Sequence, residues 1–199
     1  MSGEALTEST RRRLSGRQAD TVRRLTEAAV EEVRATGFDG FTVRNVARRA
    51  GVAPATAYTY FTSKNHLITE VFWRRLSVLP PISAAPTGPA GPRERVVAVL
   101  REIALLVSDE PELAAACTSA LLGTDPDVRE LRLRVGRTIR RRLLTALNPG
   151  ADGRPSPEEA RVLNALEFAY AGALVHAGMG YSSYAEMADR LAEVAELLL

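Results

Sequence analysis

Helical periodicity runs along the whole chain, and no stretch alternates apolar and polar residues as a half-buried strand does. Val22, Leu25, Ala29 and Val33 recur at steps of three and four, which makes an amphipathic first helix over residues 16–36. Gly37 is placed to end it, because glycine accepts the left-handed conformation of a helix terminus. Thr42 carries the hydroxyl of an N-cap for a second helix over 43–50, with Gly51 stopping it. Pro54 suits the first position of a third helix, where its missing N–H would have no partner anyway. A fourth follows Ser63 and sets Leu67, Val71 and Leu76 on one face.

Five of the eleven prolines fall between residues 80 and 92, so a linker or long loop is expected there. Further helices read over 93–108, 111–122 and 125–147, the last striped by Val128, Leu131, Val135, Ile139 and Leu143. A second break at 148–157 precedes helices at 158–178 and 183–198. The expected fold is all-α, with about nine helices. Its expected parts are a flexible basic arm (1–15), a three-helix domain with a helix-turn-helix (16–63), a connecting helix (64–79), a Pro-rich linker (80–92) and a larger helical domain (93–199).

A chain of 199 residues that is 46% apolar can bury a core without staples. Cys117 is the only cysteine, which excludes an internal disulfide and a cysteine zinc cage. His66 and His176 are far apart in the chain and read as packed or surface residues; neither a metal nor a cofactor is expected. The first ten residues lack the charged start and apolar centre of a signal peptide, and no apolar run reaches the roughly 18 residues of a membrane helix. A cytoplasmic protein without a membrane partner is expected. No nucleophile–base pair, metal cluster or phosphate loop suggests an enzyme. The net charge of +2 divides into +5 over residues 1–79 and −3 over 80–199, which directs any polyanion to the N-terminal part.

Residues 41–64 carry the most specific signal. Two short helices meet at Gly51, and Val43, Val46, Ala47 and Val52 can form the apolar seam between them. No acidic side chain occurs from Phe41 to Thr69, while Arg44, Arg48, Arg49 and Lys64 do. Such a surface can approach phosphates without repulsion. The second short helix offers the hydroxyls of Thr56, Tyr58, Thr59 and Tyr60 to phosphates or base edges, and Phe61 reads as buried. Lys64 is the only lysine among 26 basic residues, which suggests that its position needs a compact point charge. The run Arg11-Arg12-Arg13, followed by Arg17, reads as a minor-groove arm or as a solvated tail.

Thr42, the turn Ala50-Gly51-Val52, the run Tyr58-Thr59-Tyr60-Phe61 and Lys64 together resemble the DNA-binding domain of the TetR family of bacterial regulators. The match covers residues 17–72, about a third of the chain. The resemblance implies that Thr42 and Lys64 hold backbone phosphates and that Tyr58 and Tyr60 contact the operator. It implies also that Pro54, Ala55, Thr56 and Thr59 vary with the DNA sequence read; Arg44 is expected as a further DNA contact from the charge of the segment. Ala53 stands where a capping serine is common, Pro54 where a basic residue is frequent, and Thr59 where a histidine or larger aromatic is frequent.

A single reading helix buries little surface, so a homodimer on a palindromic double-stranded operator is expected. Ala169, Gly172, Ala173 and Ala177 permit close helix approach, and Tyr184, Met187, Leu191, Val194 and Leu198 supply an apolar stripe. These residues form the expected dimer interface, although an intramolecular core would use the same types. The resemblance further implies a ligand pocket, for which Phe72, Trp73, Leu105, Leu106, Leu113, Cys117, Leu121, Phe168 and Tyr170 are the apolar candidates. A small hydrophobic ligand would shift the fourth helix and release the DNA, making the protein a repressor; an activator, or a protein controlled by a protein partner, is the alternative. The arginines of 129–142 read mainly as the wet face of a helix, with an acidic ligand or a partner as the other option.

Overall fold

The computed structural model describes residues 16–82 and 91–199. The arginine run at 11–13 and most of the proline-rich segment lie outside the described residues. Nine α-helices, and no strand, occur among the described residues. They are α1 (Gly16–Gly40), α2 (Val43–Arg49), α3 (Pro54–Tyr60), α4 (Lys64–Ser77), α5 (Pro92–Ala104), α6 (Pro111–Leu122), α7 (Arg129–Leu147), α8 (Pro157–Gly178) and α9 (Tyr184–Leu198).

The local signals act largely as the chemistry dictates. Thr42 caps α2 by accepting from the Asn45 N–H at 3.1 Å, and Ser63 caps α4 by accepting from the His66 N–H at 3.1 Å. Proline opens α3, α5, α6 and α8. Gly37 does break the first helix, with φ of 63° and ψ of 177°, but three more residues continue as a short helical end to Gly40. The expected helix over 93–108 is an α-helix that tightens into a 3-10 turn at Leu105–Val107, and that over 125–147 opens with a 3-10 turn at Pro126–Val128. Arg95 explains part of how α7 ends: its Nε donates to the Ala146 carbonyl at 2.7 Å, satisfying one of the last free acceptors.

The chain forms two compact units, residues 1–79 with 110–133, and 80–109 with 134–199. This differs from the expected division, which assigned everything after residue 93 to one domain. The physical reason is α6, which packs against α1 and α4 through Leu113, Ala114, Ala116, Cys117 and Ala120, all buried. Its start is pinned there by Glu110, whose carboxylate accepts from Arg34 at 2.9 Å and from Arg75 at 2.5 Å. Around it, the core of the first unit is built from Leu25, Val33, Phe41, Val46, Phe61, Leu67, Ile68 and Leu76, each essentially sealed from water. At roughly 1.5–3 kcal/mol for each large side chain, this burial is what holds such short helices in place. In the second unit α9 packs against α5 and α8. Val96, Leu100 and Ile103 of α5 are buried there, as are Leu163 and Leu166 of α8 and Met187, Leu191 and Ala195 of α9.

Candidate nucleic-acid interface

Helix α3 buries one side chain, Ala57. Pro54, Ala55, Thr56, Tyr58 and Thr59 are exposed, and Tyr60 is half-buried. A seven-residue helix with a single buried side chain is not built to fill a core; it presents a surface. Its side chains were expected to read DNA, and they lie together on this exposed helix. Thr59 donates its hydroxyl proton to the Ala55 carbonyl at 3.1 Å, so what it has left for a partner is a methyl group and an oxygen that can accept. No side chain caps α3 at Ala53, and Pro54 alone pre-sets its first turn.

With so little buried, α3 takes its orientation from its flanks. On one side Gly51 turns the chain at φ 63°, and its N–H donates to the Arg48 carbonyl at 3.2 Å. The Arg24 guanidinium of α1 donates to the carbonyls of both Ala50 and Gly51, the latter at 3.2 Å. Sequence reasoning did not single out Arg24, since nothing in a lone helix-surface arginine shows that it reaches across to a turn. On the other side Phe61 is buried, with the His66 ring edge-on at 5.5 Å, and the Thr62 N–H donates to His66 Nδ1 at 3.4 Å.

The first turn of α4 is tied down at two further points. Lys64 Nζ donates to the Phe38 carbonyl at 2.9 Å and lies 4.2 Å from the centre of the Phe38 ring. Lys64 was expected to hold a phosphate; here one of its three N–H donors serves the end of α1. The second tie is Asp125. Its Oδ2 accepts from Ser63 Oγ at 2.7 Å and from Asn65 Nδ2 at 3.2 Å, and its Oδ1 accepts from the Asp127 N–H at 3.0 Å. Burial pulls this carboxyl up, but the hydrogen bonds from Ser63, Asp127 and Asn65, with Arg132 nearby, outweigh it and hold it below its ordinary range. Asp125 was not among the residues expected to matter.

Of the basic residues in the segment, Arg44 and Arg48 are exposed, and Arg48 donates to Asn45 Oδ1 at 3.3 Å. Arg49 is exposed as well, but its Nε is 2.8 Å from the buried carboxylate of Glu32, so its charge is already paired. Thr42 is exposed, and as its oxygen accepts from Asn45 its own proton remains to donate. The result is an exposed helix flanked by Thr42, Arg44 and Arg48, with no carboxylate in the chain between residues 41 and 69.

The residues expected to form a ligand pocket fall in both units. Phe72, Trp73, Leu113 and Cys117 are buried in the first unit, where Leu121 is half-buried. Leu105, Leu106, Phe168 and Tyr170 belong to the second unit. Leu105 is exposed, and Phe168 is 81% exposed on the outer face of α8, so neither lines an interior cavity. The second unit does contain a cleft of about 350 Å3, walled by Pro80, Pro81, Ile82, Ala98 and Val99 with Arg95, Glu102 and Arg142. Arg142 donates to Glu102 at 2.5 Å and to the Pro80 carbonyl at 3.0 Å, tying the lip to α7. Arg140 donates to Glu167 at 2.7 Å and Arg132 to the Asp125 carbonyl at 3.1 Å, so several α7 arginines are structural ties and not a free anion site.

The expected dimer residues also divide. Met187 and Leu191 are buried because the stripe of α9 faces α5 and α8, and Ala177 of α8 is buried as well. Gly172 and Leu198 are exposed, while Ala169, Ala173, Tyr184 and Val194 are half-buried. Exposed apolar residues of the unit also occur along α8 and just beyond it, at Phe168, Ala171, Gly172, Met179 and Tyr181, and at Leu197 of α9. No helix among the described residues is long and apolar enough to cross a membrane, and no group of three or more metal-ligating side chains occurs among them.

Residues 25–71, which span this interface, match the model of the bacterial regulatory proteins of the tetR family. HTH-type transcriptional regulators of Mycobacterium tuberculosis and Mycobacterium bovis are 47% identical to the chain over 186 residues, covering 92% of it and 82% of their own length. The HTH-type transcriptional repressor KstR of Rhodococcus jostii is 28% identical, covering 93% of this chain and 85% of that one. Among solved structures, a TetR transcriptional regulator from a Rhodococcus species has the same fold, with a TM-score of 0.74 at 24% identity, over 92% of this chain and 97% of that one. The regulator FadR of Bacillus subtilis, solved with stearoyl-CoA, shares the fold at a TM-score of 0.62 and 17% identity, over 87% and 96% of the two chains. With a relative this similar along nearly its whole length, and with the helix-turn-helix geometry in place, the chain belongs to the TetR family of bacterial transcriptional regulators.

Proposed function

We propose that the chain is a cytoplasmic, homodimeric repressor that holds a palindromic operator with α3 and releases it when a small hydrophobic molecule binds. The observation that carries this reading is the exposure of α3 around a single buried alanine, in a segment free of carboxylates. Tyr58 and Tyr60, with Thr56, make the base-edge and backbone contacts, and Thr42 and Arg44 hold phosphates beside them. Lys64 adds charge near the phosphates while one of its donors stays on Phe38. Replacing Tyr58 and Tyr60 together by alanine is expected to lower operator affinity at least tenfold, the scale of one or two lost DNA contacts. Native melting behaviour with unchanged operator affinity in that variant would contradict the reading.

The exposed face of α8 supports the dimer. A monomer seldom leaves side chains such as Phe168, Met179 and Tyr181 in water along one surface, and Gly172 among them lets a second helix come close. The cleft beside Pro80 supports the ligand. Its volume falls in the range of small-molecule sites, its walls are chiefly aliphatic, and its charged members are already paired or capping carbonyls. The Bacillus neighbour, solved with stearoyl-CoA, indicates that the fold can seat an apolar chain. Since α4 ends at Ser77, three residues before Pro80, a molecule that displaces the lip at 80–82 pulls on the end of α4. Release follows only if the ligand binds the DNA-bound and free conformations unequally.

A further inference from the structure

We propose that Asp125 is a positioning residue for operator binding, which acts through the capping hydroxyl of Ser63 to fix the direction in which the chain leaves the recognition helix. Helix α3 anchors itself by Ala57 alone, so its aim depends on the turn before it and on the two residues, Thr62 and Ser63, between Phe61 and α4. Ser63 sits at the end of that connector and its oxygen already accepts from the His66 N–H at 3.1 Å. A hydroxyl that only accepts is free to turn about its C–O bond. Here its proton is donated to Asp125 Oδ2 at 2.7 Å, a charge-assisted bond that locks both the hydroxyl and the side chain carrying it.

The same carboxylate oxygen takes Asn65 Nδ2 at 3.2 Å, so α4 is gripped on both sides of Lys64. The negative charge also lies at the N-terminus of α4, where the helix dipole favours it. Asp125 is itself held, which makes it a fixed post and not a loose tether. Its other oxygen accepts from the Asp127 N–H at 3.0 Å, capping the 3-10 turn before α7, and its carbonyl accepts from Arg132 at 3.1 Å. An aspartate that touches no DNA therefore determines where Tyr58 and Tyr60 point.

The test compares Asp125→Asn, Ser63→Ala and the double variant in the full-length protein. Each is titrated against a duplex recovered by selection from a random pool and against a scrambled duplex of equal length. Asp125→Asn keeps the size of the side chain and removes the charge that locks Ser63. Its affinity for the selected duplex is expected to fall about fivefold, the scale of one lost capping contact, with binding to the scrambled duplex unchanged. The double variant is expected to lose less than the two single losses combined, because both break the Ser63–Asp125 bond. Unchanged operator affinity in Asp125→Asn overturns the proposal, as does an equal loss on both duplexes, and so does an additive double variant. If Asp125→Asn does not fold, Ser63→Ala breaks the same bond from the donor's side, and full operator affinity there overturns the proposal equally.

Discussion

Gly51 takes a φ of 63°, in the region that a side chain enters at a cost of about 1–2 kcal/mol. A Cβ there would also meet Arg24 Nη2 at 3.2 Å, so the guanidinium would have to shift by a few tenths of an ångström. Gly51→Ala is therefore expected to lose at least that 1–2 kcal/mol in a denaturant titration; wild-type stability would show that neither the strain nor the contact with Arg24 matters. Cys117 gives a second single-residue expectation. Burial pushes its thiol from an ordinary value of 9.0 to about 12, with Arg75 lowering it and Glu110 raising it by smaller amounts. The folded chain thus keeps a neutral thiol where the unfolded chain ionises. This contribution to stability is whole below pH 9 and is lost as pH climbs towards about 12. At pH about 8 a thiol reagent should leave Cys117 untouched in the native protein and label it fully in denaturant. Rapid native labelling would mean that the first unit opens around α6.

At the scale of elements, helix starts were legible wherever a cap or a proline marks them, as at Thr42, Pro54, Ser63 and Pro111. Their side-chain chemistry is local, so neighbours in sequence suffice to show it. The partners of a helix are not local. The small side chains of α6 suit either unit, and only packing reveals that they serve α1 and α4. The stripe of Met187 and Leu191 suited a dimer seam as well as a core, and α5 claims it. Arg24 and Asp125 escaped notice for the same reason, since each matters through a partner 26 or more positions away. Two capping boxes make a prediction at this scale. Glu159 accepts from the Ser156 N–H at 2.6 Å and Glu186 from the Ser183 N–H at 2.7 Å, and these bonds hold both carboxyls below their ordinary range. Their help to α8 and α9 is present above the ordinary carboxylate range and disappears as pH falls through the lowered values. The paired variant Glu159→Gln, Glu186→Gln should melt lower than wild type at neutral pH and show a shallower further loss on acidification. A parallel acid profile for the two proteins would remove the boxes from the acid response.

For the whole molecule, the outward face of α8 and the cleft beside Pro80 each lead to one expectation. Phe168 is 81% exposed, so Phe168→Glu should cost the folded protomer little, within about 0.5 kcal/mol for a surface site, while splitting the dimer in sedimentation. A dimer that survives this charge would place the interface elsewhere. Ala98 lines the cleft from an exposed position, and Ala98→Trp should fill it, leaving operator binding intact and abolishing its response to hydrophobic ligands. A ligand response preserved in Ala98→Trp would exclude the cleft as the ligand seat. Above both stands the proposed reading of DNA by residues 41–64, which rests on the exposed α3, the Gly51 turn and the absence of carboxylates. Selection of bound duplexes from a random pool tests it most directly. Two inverted half-sites about one helical turn or more apart are expected to emerge, and the alanine variant at Tyr58 and Tyr60 to enrich none. A pool that stays random with the wild-type protein, or a motif that the Tyr58 and Tyr60 variant selects equally well, would contradict it.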